Sequence, residues 1–323
     1  MSISLFTVIF LLVYGPSFIA YASANTSYIL LNRSMATADV AAPASTLKAL
    51  EQAARKNPKV DSAIWRALGH VYALQNNESA AISAWKKAQN KINIVEEMYH
   101  WASVSEQQGD AQGAWQWYER AIALAPQTAD PWYFAARFLE EEGDAEKATS
   151  YYHTGLNTGR FHEVGVSDIA LRLGRLAFTA QAWADSDHWL NLALAASDFR
   201  LADRAWEAHY IRGESWRLRG DLATAATDYQ WVVDHHPNHY WAHIRLAQVR
   251  WLVEANFYEA EDLLQRAIAI EPTRKWAYKI SGDLYRDNQR FEEAINMYHL
   301  VLMLDPQDTL VKGYLEELNS HDN

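Results

Sequence analysis

The stretch Ala63-Ile64-Trp65-Arg66-Ala67-Leu68-Gly69-His70-Val71-Tyr72 runs into polar Gln75, Asn76 and Asn77, and then into Ala81, Trp85 and Ala88. Trp65, Leu68, Gly69 and Tyr72 fall at i, i+3, i+4 and i+7, which is one face of a helix. The polar triplet makes a turn, and Ala81, Trp85 and Ala88 mark the inner face of a second helix. The reading is helix, turn, helix.

Working outward, the same arrangement recurs. The small residue inside the first helix has counterparts at Ser34, Gly69, Ala102, Ala136, Gly174, Gly213, Ala247 and Gly282, with gaps of 35, 33, 34, 38, 39, 34 and 35 residues. A second small column follows at Thr46, Ala81, Ala114, Ala148, Ser186, Ala225, Ala260 and Ala294. A bulky column comes four residues later, at Leu50, Trp85, Tyr118, Tyr152, Leu190, Tyr229, Leu264 and Tyr298. Small residues let paired helix backbones approach closely, and the aromatics are expected to fill the wedge between units. Pro58, Pro126, Pro237, Pro272 and Pro306 close units, because proline lacks the amide hydrogen and disfavours helix in the residue before it. Gly109-Asp110, Gly143-Asp144 and Gly220-Asp221 separate the two helices of a unit, glycine tolerating left-handed dihedrals and aspartate capping the next helix. No stretch alternates with period two, so the chain reads as all α-helix.

This pattern resembles the tetratricopeptide repeat family, whose 34-residue unit carries Trp, Leu-Gly, Tyr, Ala, Phe, Ala and Pro. Trp65, Leu68-Gly69, Tyr72, Ala81, Trp85 and Ala88 match it best; Ala102, Ala114, Tyr118, Ala121 and Pro126 match in part, as do Gly282, Tyr285, Ala294, Tyr298 and Pro306. The resemblance covers roughly Tyr28 to Pro306 and implies a right-handed α-solenoid of about eight helix-turn-helix repeats in one elongated domain, residues 25–323. Units beginning near Val166 and Trp206 are longer, with Arg160 and Asp198 where the closing proline would stand. The first unit, Tyr28–Pro58, is the most degenerate, as suits a cap, and residues 309–318 resemble the helix that covers the last repeat.

The formal charge of −11 argues against a nucleic-acid surface, which needs a basic stripe. The absence of cysteine removes disulfides and thiolate metal sites. Residues 1–24 form a hydrophobic segment in which Ile3 to Ala22 is twenty residues without a charge, about a bilayer span. Two readings stand for it, an uncleaved anchor and a signal peptide cleaved after Ala22-Ser23-Ala24, with a buried helix as a third. No Lys or Arg precedes Arg33, and the solenoid is expected on the extracytoplasmic side of a membrane, or exported and soluble if the segment is removed. The sequons at Asn25, Asn32 and Asn77 matter only in a eukaryotic secretory cell.

No phosphate loop, His-Glu-x-x-His or Gly-x-Ser-x-Gly motif is present, and Gly213-Glu214-Ser215-Trp216 lacks the closing glycine. His235, His236, His239 and His243 are the densest metal-like group, but with His243 read as a packing residue no metal or cofactor is expected. A second stripe on each first helix, at offsets −6, −3, +1 and about +4 from its small residue, lies on one face. In tetratricopeptide proteins this face lines a concave groove that holds a peptide or helix. Here it comprises Arg66 and His70; Tyr99; Tyr133 and Arg137; Arg175; Tyr210 and Arg217; Trp241 and Trp251; and Trp276, Lys279 and Arg286. Tyr, Trp and Arg dominate binding hot spots, and a groove rich in them suits an acidic or carboxylate-bearing segment. The Lys and Asn clamp of chaperone-binding members is not reproduced.

The expected function is a membrane-associated, bacterial-type, non-catalytic scaffold that binds a protein or peptide partner in its groove, as an adaptor for an envelope or secretion complex. A carbohydrate-binding or polysaccharide-export accessory, with tryptophans stacking on a glycan, is the alternative. A regulatory module of a separate membrane enzyme is another.

Overall fold

The computed structural model describes residues 44–56, 62–75, 77–88, 93–196 and 203–321. The apolar segment 1–24, the sequons at Asn25 and Asn32, the first helix of the first repeat with Ser34, and the positions Pro58 and Asp198 lie outside the described residues. Within them there are sixteen helices and no strand. None of these helices is long and apolar enough to cross a membrane. The chain divides into two compact units, up to Asp144 and from Ala145.

The first unit holds α1 (Ala44–Lys56), α2 (Ser62–Leu74), α3 (Glu78–Lys87), α4 (Ile94–Gln107), α5 (Ala111–Leu124) and α6 (Ala129–Glu141). The second holds α7 (Ala145–Thr158), α8 (Val166–Thr179), α9 (Trp183–Ala195), α10 (Ala205–Leu218), α11 (Leu222–His235), α12 (Tyr240–Leu252), α13 (Phe257–Ile270), α14 (Lys275–Asp287), α15 (Phe291–Leu304) and α16 (Thr309–His321). Packing is most extensive inside the pairs α2/α3, α4/α5, α8/α9, α10/α11, α12/α13 and α14/α15, and next between the second helix of a pair and the first helix of the following one.

The three columns explain the pairing. Leu50, Trp85, Tyr118, Tyr152, Leu190, Tyr229, Leu264 and Tyr298 are all buried. The glycines of the first column leave room for them: a Cβ on Gly69 would stand 2.0 Å from Trp85 Nε1, and one on Gly282 2.5 Å from Tyr298 Cε1. The bulky residue therefore lies over the glycine of its own pair, not chiefly in the wedge between units where the sequence placed it. Contact across the wedge also occurs, with the Trp85 and Trp117 rings 5.8 Å apart. The tyrosines of this column carry a hydroxyl into the core and satisfy it on a neighbouring carboxylate, Tyr118 on Glu106, Tyr229 on Glu214 and Tyr298 on Asp283.

The turns follow the same economy. Gly109 and Gly220 adopt φ of +75° and +86°, and the next residues, Asp110 and Asp221, accept from the backbone N–H groups of Gly113 and Thr224 as caps. The equivalent left-handed position is Gln181, Ala255 and Gln289 in three other pairs, with φ between +51° and +59°. A side chain there costs about 1–2 kcal/mol. Ala255→Gly is expected to stabilise by about 0.5–1 kcal/mol after the entropy glycine adds to the unfolded chain, and an unchanged denaturation midpoint would contradict that account. The longer spacing before α8 comes from the connection over 159–165, which opens at Gly159 with φ +64° and closes with Asp168 accepting from the Gly165 N–H. At the far end, α16 buries Val311, Leu315 and Leu318 and exposes Lys312, Glu316 and Glu317, as a solvating helix should.

Candidate functional site

The stripe on the first helices α2, α4, α6, α8, α10, α12 and α14 carries the thirteen expected groove residues, and their surroundings differ. In the first unit three are buried. Tyr99 packs on Phe134 with ring centroids 4.5 Å apart, and Tyr133 stands edge-on to the same ring. His70 is sealed inside: the Trp101 Nε1–H donates to its Nδ1 at 2.8 Å, and its Nε2 meets Glu97 at 3.2 Å. An indole nitrogen can only donate, so Nδ1 is unprotonated and the Nε2–H donates to Glu97. Burial, with help from Arg66 and His100, pushes the His70 pKa down to about 3. Its contact with Glu97 is therefore a hydrogen bond donated by a neutral ring.

The cations of the stripe are paired. Arg66 meets Glu97 at 2.6 Å, Arg137 lies between Glu106 and Glu141, and Arg175 meets Glu207 at 2.9 Å. Arg217 meets Glu214 at 2.7 Å; Lys279 and Arg286 share Asp283, with Arg286 also on Asp287. Several of these pairs tie one first helix to the next, Arg66 of α2 to Glu97 of α4, Glu106 of α4 to Arg137 of α6, Arg175 of α8 to Glu207 of α10. Glu214 gathers Arg217, Arg245 and the Tyr229 hydroxyl, and these partners outweigh its burial and hold its carboxyl below the usual range. The stripe is thus an alternating ladder of charge, not a cationic groove.

What the stripe presents unpaired is aromatic, and it lies in the second unit. Trp241 and Trp276, on α12 and α14, have ring centroids 6.3 Å apart, and Trp276 is 45% exposed. Arg245 lies over the Trp241 ring and Lys275 over Trp276, each cation already held by carboxylates. Tyr210 is half-buried with its ring 4.7 Å from His239. Trp251 is half-buried against the core of the second unit.

Sequence reasoning missed Trp206, which precedes Trp241 by the same 35 residues that separate Trp241 from Trp276. Trp206 is packed between His236 and His239, 5.0 Å from each. It also missed the carboxylates of the ladder. The signal was present, since Glu214 and Arg217, and Asp283 and Arg286, stand at i, i+3 on the same face. The histidines of the suspected metal group turn to different neighbours. His239 caps α12 by accepting from the Ala242 N–H, His243 is buried against the His239 carbonyl, and His235 stacks on Trp231 at 4.1 Å. Among the described residues no group of three or more His, Asp or Glu could hold a metal ion.

Residues 277–310, spanning α14, α15 and the start of α16, match a tetratricopeptide repeat family model. Solved structures match over longer spans. YrrB, described as a TPR protein with an unusual peptide-binding site, aligns with a TM-score of 0.53 at 16% identity, covering 62% of this chain and 97% of its own. PilF of Pseudomonas aeruginosa aligns with a TM-score of 0.57 at 13% identity, covering 69% and 97%. The fold is a tetratricopeptide-repeat fold. PilW, a type IV pilus biogenesis factor, is likewise similar in fold, with a TM-score of 0.56 at 14% identity over 69% of this chain and 99% of its own. No curated protein matches the sequence. Such a repeat fold is consistent with a protein-interaction scaffold.

Proposed function

We propose that this chain is a non-catalytic scaffold that binds a segment of a protein partner along the first-helix stripe of its second unit. The observation that supports this is the aromatic pair Trp241 and Trp276, presented on a surface whose cations are already neutralised. Paired arginines have little charge left for a carboxylate ligand. Aromatic area, which drives hot-spot affinity, remains available. The preferred segment is therefore apolar or aromatic, not acidic. The peptide-binding description of YrrB supports a peptide segment as the ligand, without bearing on its chemistry. Tethering to a membrane through the uncharged run from Ile3 to Ala22 belongs to this proposal, and deleting residues 1–24 should move the protein from membrane to soluble fractions.

Peptides selected by phage display against the full chain test the site. Those that bind should lose at least tenfold in affinity for the Trp241→Ala/Trp276→Ala variant, about 1.4 kcal/mol or more. Equal binding to both proteins would remove the stripe as the partner site.

A further inference from the structure

The second unit holds a cleft of about 300 Å³ that shares no residue with the aromatic stripe. It lies between α7 and the α8/α9 hairpin. Its floor is Leu173, Leu176, Ala177 and the Trp189 indole, with His153 edge-on to that ring at 5.2 Å. Its rim carries Glu146 and Asp185, from the first turns of α7 and α9, both exposed. Neither carboxylate has an ion-pair or hydrogen-bond partner among the described residues.

Three other acids early in second helices, one of them on α9 itself, are engaged by an arginine of the following pair. Glu78 of α3 meets Arg120 of α5 at 3.0 Å. Asp187 of α9 meets Arg219 at 2.5 Å, and Glu261 of α13 meets Arg290 at 3.2 Å. No arginine pairs with Glu146 or Asp185 among the described residues, and their rim stands beside an apolar, aromatic floor.

We propose that this cleft receives an arginine side chain from a segment of a protein partner. The methylene stem packs on Leu173, Leu176 and Ala177, the planar guanidinium lies against Trp189, and its N–H groups reach Glu146 and Asp185. The complementarity is of charge as well as shape: two unpaired carboxylates beside an apolar floor suit a cation with a long apolar stem. The site is independent of the aromatic stripe.

The test uses the full chain and the amidated, acetylated pentapeptide Gly-Leu-Arg-Leu-Gly bearing a benzophenone photocrosslinker, with a citrulline version as the neutral isostere. Crosslinks are expected within residues 145–153 and 173–189. Binding should weaken about tenfold for the citrulline peptide and for Glu146→Gln/Asp185→Asn, and be lost in Ala177→Phe, which fills the floor. The Trp241→Ala/Trp276→Ala variant should bind the arginine peptide normally, which separates this site from the stripe. Equal affinity for the two peptides, crosslinks elsewhere, or binding that survives both cleft variants would overturn the proposal.

Discussion

Trp85→Ala is expected to destabilise the first unit by about 3–5 kcal/mol, the range for deleting a fully buried indole. Trp85 has no exposed surface, covers Gly69, contacts the Trp117 and His70 rings, and donates from Nε1 to the Arg66 carbonyl. The truncation opens a cavity and removes the indole's additional hydrogen bond to that carbonyl. The reciprocal change argues the same point from the other side. Gly69→Ala places a methyl 2.0 Å from Trp85 Nε1, so the indole or a helix must shift, at the roughly 1–3 kcal/mol typical of overpacking. Combining Gly69→Ala with Trp85→Tyr recreates the Ala102 and Tyr118 combination of α4 and α5, and should recover much of the loss. Hydrogen exchange over residues 64–88 is the suitable measurement, because a repeat array need not unfold in one step. Additive penalties in the double variant would show that the two residues are not the matched pair the packing describes.

The same columns show why the fold was legible. Small and bulky residues recur at fixed offsets because each pair solves one packing problem, and every bulky position read from the sequence is buried. Proline and Gly-Asp punctuation is equally local, acting through its own backbone and the cap that follows. Gln181, Ala255 and Gln289 escaped notice because they hold the left-handed position without the residue type that announces it.

The candidate site was legible as a stripe but not as a surface. Periodicity places Arg66, Arg137, Arg175 and Arg217 on one face of the first helices, yet says nothing of what stands opposite on the next helix. Glu97, Glu106 and Glu207 come from neighbouring repeats about 30 residues away, and only packing brings them within reach. Net charge misled in the same way, since a total of −11 does not reveal that the acids of the stripe lie against its bases. The cleft at Glu146 and Asp185 was invisible for the same reason. It is defined by three helices meeting, and residues from 145 to 189 come together there only through packing.

Acidification from pH 7 to pH 5 is expected to cost the first unit about 2 kcal/mol through His70 alone. The ring is neutral in the folded state, with its pKa pushed from 6.5 down to about 3, first by burial and then by Arg66 and His100. The unfolded chain therefore takes up the proton first. Stability is complete above about pH 6.5 and falls by about 1.4 kcal/mol per pH unit as the pH drops from there toward 3. Glu97 acts with the opposite sign: burial raises its pKa, so the folded state binds its proton more readily, and this returns some stability at the acid end. The test is urea unfolding of wild type and His70→Gln at pH 7, 6 and 5. Glutamine keeps one acceptor for Trp101 and one donor for Glu97 but does not titrate in this range. The variant should lose about 2 kcal/mol less than wild type between pH 7 and pH 5. His239, whose pKa is pushed down to about 4 chiefly by burial, acts in the second unit and stays in both proteins, so a difference confined to the first unit belongs to His70. Parallel pH profiles for the two proteins would mean that the ring takes up a proton as readily in the fold as in the unfolded chain, which the Trp101 N–H donating to Nδ1 does not allow.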